Sequence, residues 1–195
     1  MNIGRRFWIR WVVASTMGLG AGVMLWLAAG GAMDALGIVG RSPWGRALQA
    51  GAVGAVFGTA FGVGQWLVLR RLIPHAGRWV PATAIGYAAV FFLAALLIPD
   101  DQAIELAPAA QIALGVIVGA AVGVPPAIMQ WLLALRRALP AAGWWIPGNA
   151  ASWAVGFAIS FAFDLWLGEP AFIAGPVVAI GLTGVALLRL LRYGG

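Results

Sequence analysis

Six long apolar stretches, at 11–31, 48–69, 80–98, 111–135, 146–167 and 172–191, make up most of this chain. Each is about the ~20 residues that an α-helix needs to cross a bilayer core of ~30 Å. They are too long for the strands of a membrane barrel and lack the in–out alternation such strands show. A water-facing shell is equally ruled out. Charged residues make up 9% of the 195 residues and hydrophobic ones 63%, whereas a soluble domain carries roughly 25% charge. The expected fold is therefore all-α: a polytopic membrane bundle of six transmembrane helices forming a single domain over 1–195. The 28 Gly suit close-packed membrane helices, and the 11 Trp are expected at the two bilayer interfaces.

The charges that remain sort by side. The chain has no Lys, and its net charge of +6 comes from arginine. Arg5, Arg6 and Arg10 precede the first stretch. Arg70, Arg71 and Arg78 follow the second, Arg136 and Arg137 follow the fourth, and Arg189 and Arg192 end the sixth. With six crossings, these ten share one side, and only Arg41 and Arg46 fall on the other. All six acids (Asp34, Asp100, Asp101, Glu105, Asp164 and Glu169) lie on or near that second side. Excess arginine marks the cytoplasmic face. The expectation is a protein of the cell inner or plasma membrane with both termini in the cytoplasm. Arg5-Arg6 before an apolar run, with Ala28-Ala29-Gly30 further on, has the outline of a cleavable signal. Retention is expected instead, because this first segment recurs later in the chain.

That recurrence is an internal repeat. Gln65-Trp66-Leu67-Val68-Leu69-Arg70-Arg71 returns as Gln130-Trp131-Leu132-Leu133-Ala134-Leu135-Arg136-Arg137. Pro74, Gly77, Trp79 and Pro81 return 66 residues on as Pro140, Gly143, Trp145 and Pro147. Ala50, Gly54, Gly58 and Gly62 align at a spacing of 65 with Gly115, Gly119, Gly123 and Ala127. The N-terminus joins in: Trp11, Ala14, Ser15 and Gly18 match Trp79, Ala82, Thr83 and Gly86, then Trp145, Gly148, Asn149 and Ser152. The expectation is three helical-hairpin repeats, about 5–71, 72–137 and 138–195. The last departs from the pattern, having Gly181, Gly184, Arg189 and Arg192 but no Gln-Trp.

In these residues the chain resembles a group of uncharacterised bacterial multi-pass membrane proteins with a repeated QWLxLRR element, a Pro/Gly/Trp loop and a helix beginning WVxA. Gln65 to Gly86 and Gln130 to Ser152 carry the resemblance, and the first helix carries it more loosely. It implies the fold and the membrane, and it implies no activity.

Small residues every four positions, at Gly54-Gly58-Gly62 and Gly115-Gly119-Gly123, allow close helix contact where lipid supplies no hydrophobic drive. Packing within the chain is the plainer use of such a glycine zipper; association with a second copy or a partner subunit is the other. Gln65 and Gln130 lie two turns beyond Gly58 and Gly123 on the same face. Ser15, Thr83 and Asn149 lie four residues inside the entry tryptophans. Both sets fall roughly 6–8 Å from the expected cytoplasmic interface. Together they outline a polar ring, serving either as interhelical glue or as a shallow site for a polar ligand or lipid headgroup. Pro125-Pro126 sits inside the fourth stretch, where a plain kink is commoner than a transport-type break. Asp164 is expected at the outer interface, and the loop with Asp100, Asp101 and Glu105 is expected to be solvated.

Catalytic groups are missing from this pattern. The chain has no Cys and a single His, His75, so thiol chemistry and Cys-ligated metals are excluded and no metal or cofactor is expected. No nucleophile–base pair or phosphate loop is present. Arg70, Arg71, Arg136 and Arg137 are expected to meet anionic lipid headgroups. Because the arginines cap apolar spans, orientation explains the basic charge better than nucleic acid does. Two function classes remain: a non-enzymatic structural or accessory membrane protein, and a small-molecule transporter or its substrate-binding membrane subunit. A packed polar ring would favour the first and an apolar cavity around Gln65 and Gln130 the second.

Overall fold

The computed structural model describes residues 3–38, 40, 42–98, 106–167 and 171–193. The acidic positions Asp100, Asp101, Glu105 and Glu169, and the side chain of Asp164, lie outside the described part. Six α-helices succeed one another along the chain: α1 (Ile3–Ala35), α2 (Pro43–Leu69), α3 (Trp79–Leu97), α4 (Pro108–Gln130), α5 (Trp145–Leu167) and α6 (Ala171–Tyr193). Each is long and apolar enough to cross a membrane, and the chain is a multi-pass membrane protein built as an all-α bundle.

Local chemistry sets the helix ends. Gly37, at φ 66°, lets α1 close in a Schellman turn, with Ile38 N–H donating to Met33 O (2.9 Å) and Gly37 N–H to Asp34 O (3.0 Å). The Ser42 hydroxyl accepts from Gly45 N–H at 3.1 Å, and Pro43 takes the first helical position of α2, where no N–H is needed. Pro108 likewise takes the first helical position of α4, which has no side-chain cap. α1 is longer than its apolar stretch. Its 33 residues span about 50 Å, so Arg5, Arg6 and Arg10 ride on the helix itself. Arginine is a good helix former, and a charge that ends an apolar run need not end a helix.

Each helix packs on its neighbours in the chain, and α6 packs back on α1, closing a ring of six. The closest seams are α2–α3 and α4–α5, and the glycines make them. A Cβ on Gly58 would lie 2.7 Å from Thr83 O, and one on Gly54 2.7 Å from Tyr87 O. On α4, a Cβ on Gly115 would lie 2.9 Å from Phe157 O and one on Gly119 2.9 Å from Ala154 Cα. No side chain fits in those places, so the backbones touch and gain dispersion contacts that lipid would otherwise provide. These closest pairs each span a Gln-Trp loop, joining the end of one expected repeat to the start of the next. α1 meets α2 at Gly18, where a Cβ would lie 3.1 Å from Phe61 O. α3 meets α4 where Gly86 lies against the Pro126 backbone.

The two Gln-Trp loops fold alike. Leu72 N–H and Ile73 N–H donate to Leu69 O, and Arg78 N–H donates to His75 O. Ala138, Leu139 and Trp144 make the corresponding bonds to Leu135 O and Ala141 O, each 66 residues on. The helices before them align at 65, so the stretch from Gln130 to Leu135 carries one residue more than that from Gln65 to Leu69. That residue is absorbed in a π-helical turn, Trp131–Leu135, closed by Arg136 N–H to Trp131 O at 2.9 Å. In α2 the matching bond is the ordinary four-residue one, Arg70 N–H to Trp66 O at 2.8 Å. A π turn accommodates one inserted residue in a helix without rotating the residues beyond it, and Leu69 and Leu135 both end up fully buried. The helix runs through Pro125-Pro126 without breaking.

Candidate functional site

Three tryptophans meet at the arginine-rich end of the ring. Trp11 on α1, Trp79 at the start of α3 and Trp145 at the start of α5 are each 0% exposed. The Trp11 and Trp79 ring centroids are 6.3 Å apart edge to face, and those of Trp79 and Trp145 are 5.6 Å apart. These three rings face inward and pack between the helices, unlike Trp8, Trp26, Trp44 and Trp144, which are exposed on the outside of the bundle. An indole N–H buried this way needs an acceptor, or it costs about 1–3 kcal/mol.

The helix that precedes each tryptophan around the ring supplies the acceptor. Trp79 Nε1 donates to Gln65 Oε1 at 2.7 Å, and Trp145 Nε1 donates to Gln130 Oε1 at 2.9 Å. Trp11 Nε1 lies 3.2 Å from both Thr183 Oγ1 and Ile180 O on α6. Gln130 also donates through Nε2 to Thr83 Oγ1 at 2.9 Å, and Thr83 donates to Trp79 O at 2.8 Å. Gln65, Trp79, Thr83, Gln130 and Trp145 thus form one linked network reaching from α2 to α5.

Of the five residues expected to form a polar ring, all are buried: Ser15 0%, Gln65 5%, Thr83 0%, Gln130 2% and Asn149 4% exposed. Thr83 and Gln130 bond to each other, and Gln65 joins through Trp79. Ser15 and Asn149 do not join. Ser15 Oγ, its neighbour Thr16 Oγ1 and Asn149 Oδ1 are buried without a hydrogen-bond partner. Below this layer, Phe57, Phe61, Tyr87 and Trp153 pack ring against ring, with the Phe57 and Tyr87 centroids 4.9 Å apart.

The expected lipid-facing arginines divide differently. Arg70 and Arg71 line a groove of about 830 Å³ between α1 and α2, together with Arg6 and Arg10. The rest of its lining is mostly apolar and includes Ile9, Val13, Met17 and Leu67. Arg70 is held by the Trp66 ring, its guanidinium carbon 5.7 Å from the ring centroid. Arg136 and Arg137, the matching pair on the other Gln-Trp loop, are exposed and do not line this groove. Among the described residues, no group of three His, Cys, Asp or Glu side chains could hold a metal.

The sequence reading missed the indoles as hydrogen-bond donors, and it missed Arg6 and Arg10 as groove walls. A signal for the indoles was present. Trp79 lies 14 residues after Gln65 and Trp145 lies 15 after Gln130, the same one-residue difference that the π turn absorbs. Comparison with family models, with curated proteins and with solved structures finds no match for this chain.

Proposed function

We propose that this chain is a non-enzymatic integral membrane protein with a structural or accessory role, seated in the plasma membrane with both termini in the cytoplasm. The observation that carries the reading is the linked Gln65–Trp79–Thr83–Gln130–Trp145 network. Its polar groups are spent on one another and on indoles, in a layer filled by tryptophan rings. Such groups act as interhelical glue, each bond being worth ~0.6 kcal/mol on average in a membrane. Ten arginines on one side against two on the other support the orientation. The shared hydrogen bonding of the two loops supports the reading as three helical hairpins, with α6 and α1 standing where a third Gln-Trp loop would be.

The transporter reading draws on Ser15 and Asn149, whose buried oxygens have no partner. One experiment separates the two. The double variant Gln65→Leu, Gln130→Leu is melted in detergent, and the molecules that copurify with it are measured by native mass spectrometry. Glue predicts a lower melting temperature. A variant that melts like wild type but loses one specific bound metabolite would replace this reading with the transporter one.

A further inference from the structure

We infer that the groove between α1 and α2 is a binding site for one acidic phospholipid, its phosphate held among Arg6, Arg10, Arg70 and Arg71 and an acyl chain lying along Val13 and Met17. The inference rests on the arginine-rich end lying at a bilayer surface, whichever side of the membrane that is. The site is built by the helix crossing beneath it. Gly18 lets α1 and α2 touch, with a Cβ there only 3.2 Å from Gly64 Cα. The groove begins just past that contact and extends towards the arginine-rich end. The chain therefore makes an apolar trough that runs out of the membrane core and stops at four guanidinium groups.

Charge selects the occupant. Among the described residues no carboxylate lines the groove, and all six acids are placed by sequence towards the opposite ends of the helices. Arg6 and Arg10 are one helical turn apart on α1 and so share a face. Arg70, braced on the Trp66 ring, and Arg71 approach from α2. Guanidinium groups bind phosphate oxygens in a bidentate manner, and basic pockets between membrane helices suit acidic headgroups. A second copy of the chain would bring four more arginines against these four. A zwitterionic phospholipid would bring the same phosphate but with a headgroup cation that these guanidinium groups repel. The volume of about 830 Å³ falls within the ~300–1,000 Å³ range of small-molecule sites.

The test is native mass spectrometry of the full chain, delipidated and then given vesicles of phosphatidylcholine with a minor fraction of phosphatidylglycerol. Wild type should retain one phosphatidylglycerol in preference to phosphatidylcholine. Arg10→Gln, Arg70→Gln should weaken that retention roughly thirtyfold with unchanged melting, because both side chains are exposed. Arg136→Gln, Arg137→Gln should retain the lipid. Met17→Trp, which fills the trough and leaves every arginine in place, should also lose it. Inorganic phosphate should not displace it, because phosphate has no acyl chain for the trough. Displacement by phosphate would reduce the site to an anion site and overturn the inference. Equal loss in the two arginine double variants would do the same, by showing only diffuse surface charge, and so would equal retention of phosphatidylcholine. None of these outcomes touches the glue reading, which is judged on melting of the glutamine variants.

Discussion

At the scale of single residues, the two glutamines are equivalent in the sequence but unequal in the structure. Gln130 accepts from Trp145 and donates to Thr83, whereas Gln65 has one side-chain bond, to Trp79. Gln130→Leu should therefore cost more than Gln65→Leu, about 1–2 kcal/mol against ~1, read as a drop of a few degrees in melting temperature. A double-mutant cycle of Gln130→Leu with Thr83→Val should show coupling, and a cycle of Gln65→Leu with Thr83→Val should show less. If the two glutamine variants melt alike, the linked network is not what their stability depends on. The glutamines were legible because a polar residue on a glycine face of a membrane helix has nowhere to point but inward. The tryptophans were not, because an indole is as much at home at a bilayer surface as in a core. Only the partner opposite decides, and the partner lies on another helix.

At the scale of elements, the apolar runs gave each helix but not each boundary. α1 begins at Ile3, not at 11, because arginine is compatible with a helix whose end stands in water. The glycine seams set a sharp contrast. Gly58→Leu should destabilise by about 3 kcal/mol or more, since even a Cβ would press on Thr83 O and Ala84 Cα. Gly20→Leu on α1, with nothing within 4 Å, should melt like wild type. Equal losses would mean that helix propensity, not contact, sets the effect. The π turn offers a test by deletion. Removing Leu133, which is 37% exposed, brings the stretch from Gln130 to the arginines to the length of its α2 counterpart. The turn should relax to α-helix, and the variant should melt no lower than wild type. Removing Leu67, 48% exposed, leaves α2 one residue short with no π turn to give it up. The segment after it then turns by roughly 100°, taking Leu69 out of the core, and the variant should fail to fold. The 65 and 66 spacings were visible in the sequence, but spacing alone does not say whether an extra residue is held in a loop or within a helix.

At the scale of the whole molecule, six crossings put both termini on one side, and the orientation proposed above from the arginine bias makes that side the cytoplasm. Reporter fusions at either terminus, or near Gly77 or Ala141, should read cytoplasm. A fusion between α3 and α4 should read the outside, and a cytoplasmic signal there would overturn the orientation. The number of helices was legible from apolar length alone. Their closure into a ring was not, because nothing local pairs the first helix with the last. That seam is fastened by two indoles of α1, Trp8 to Gly181 O at 2.9 Å and Trp11 to Ile180 O at 3.2 Å. Trp11 and Ile180 are 169 residues apart in the chain. A ribosome adding ~5–20 residues per second makes the second roughly 10–30 s after the first. For that interval α1 waits in the bilayer with the indoles of Trp8 and Trp11 lacking their α6 acceptors, beside whatever lipids and insertion machinery surround it. Synthesis of α6 thus decides whether α1 is finished, and a chain truncated before α6 would present to the membrane's quality control a helix face that α6 otherwise covers.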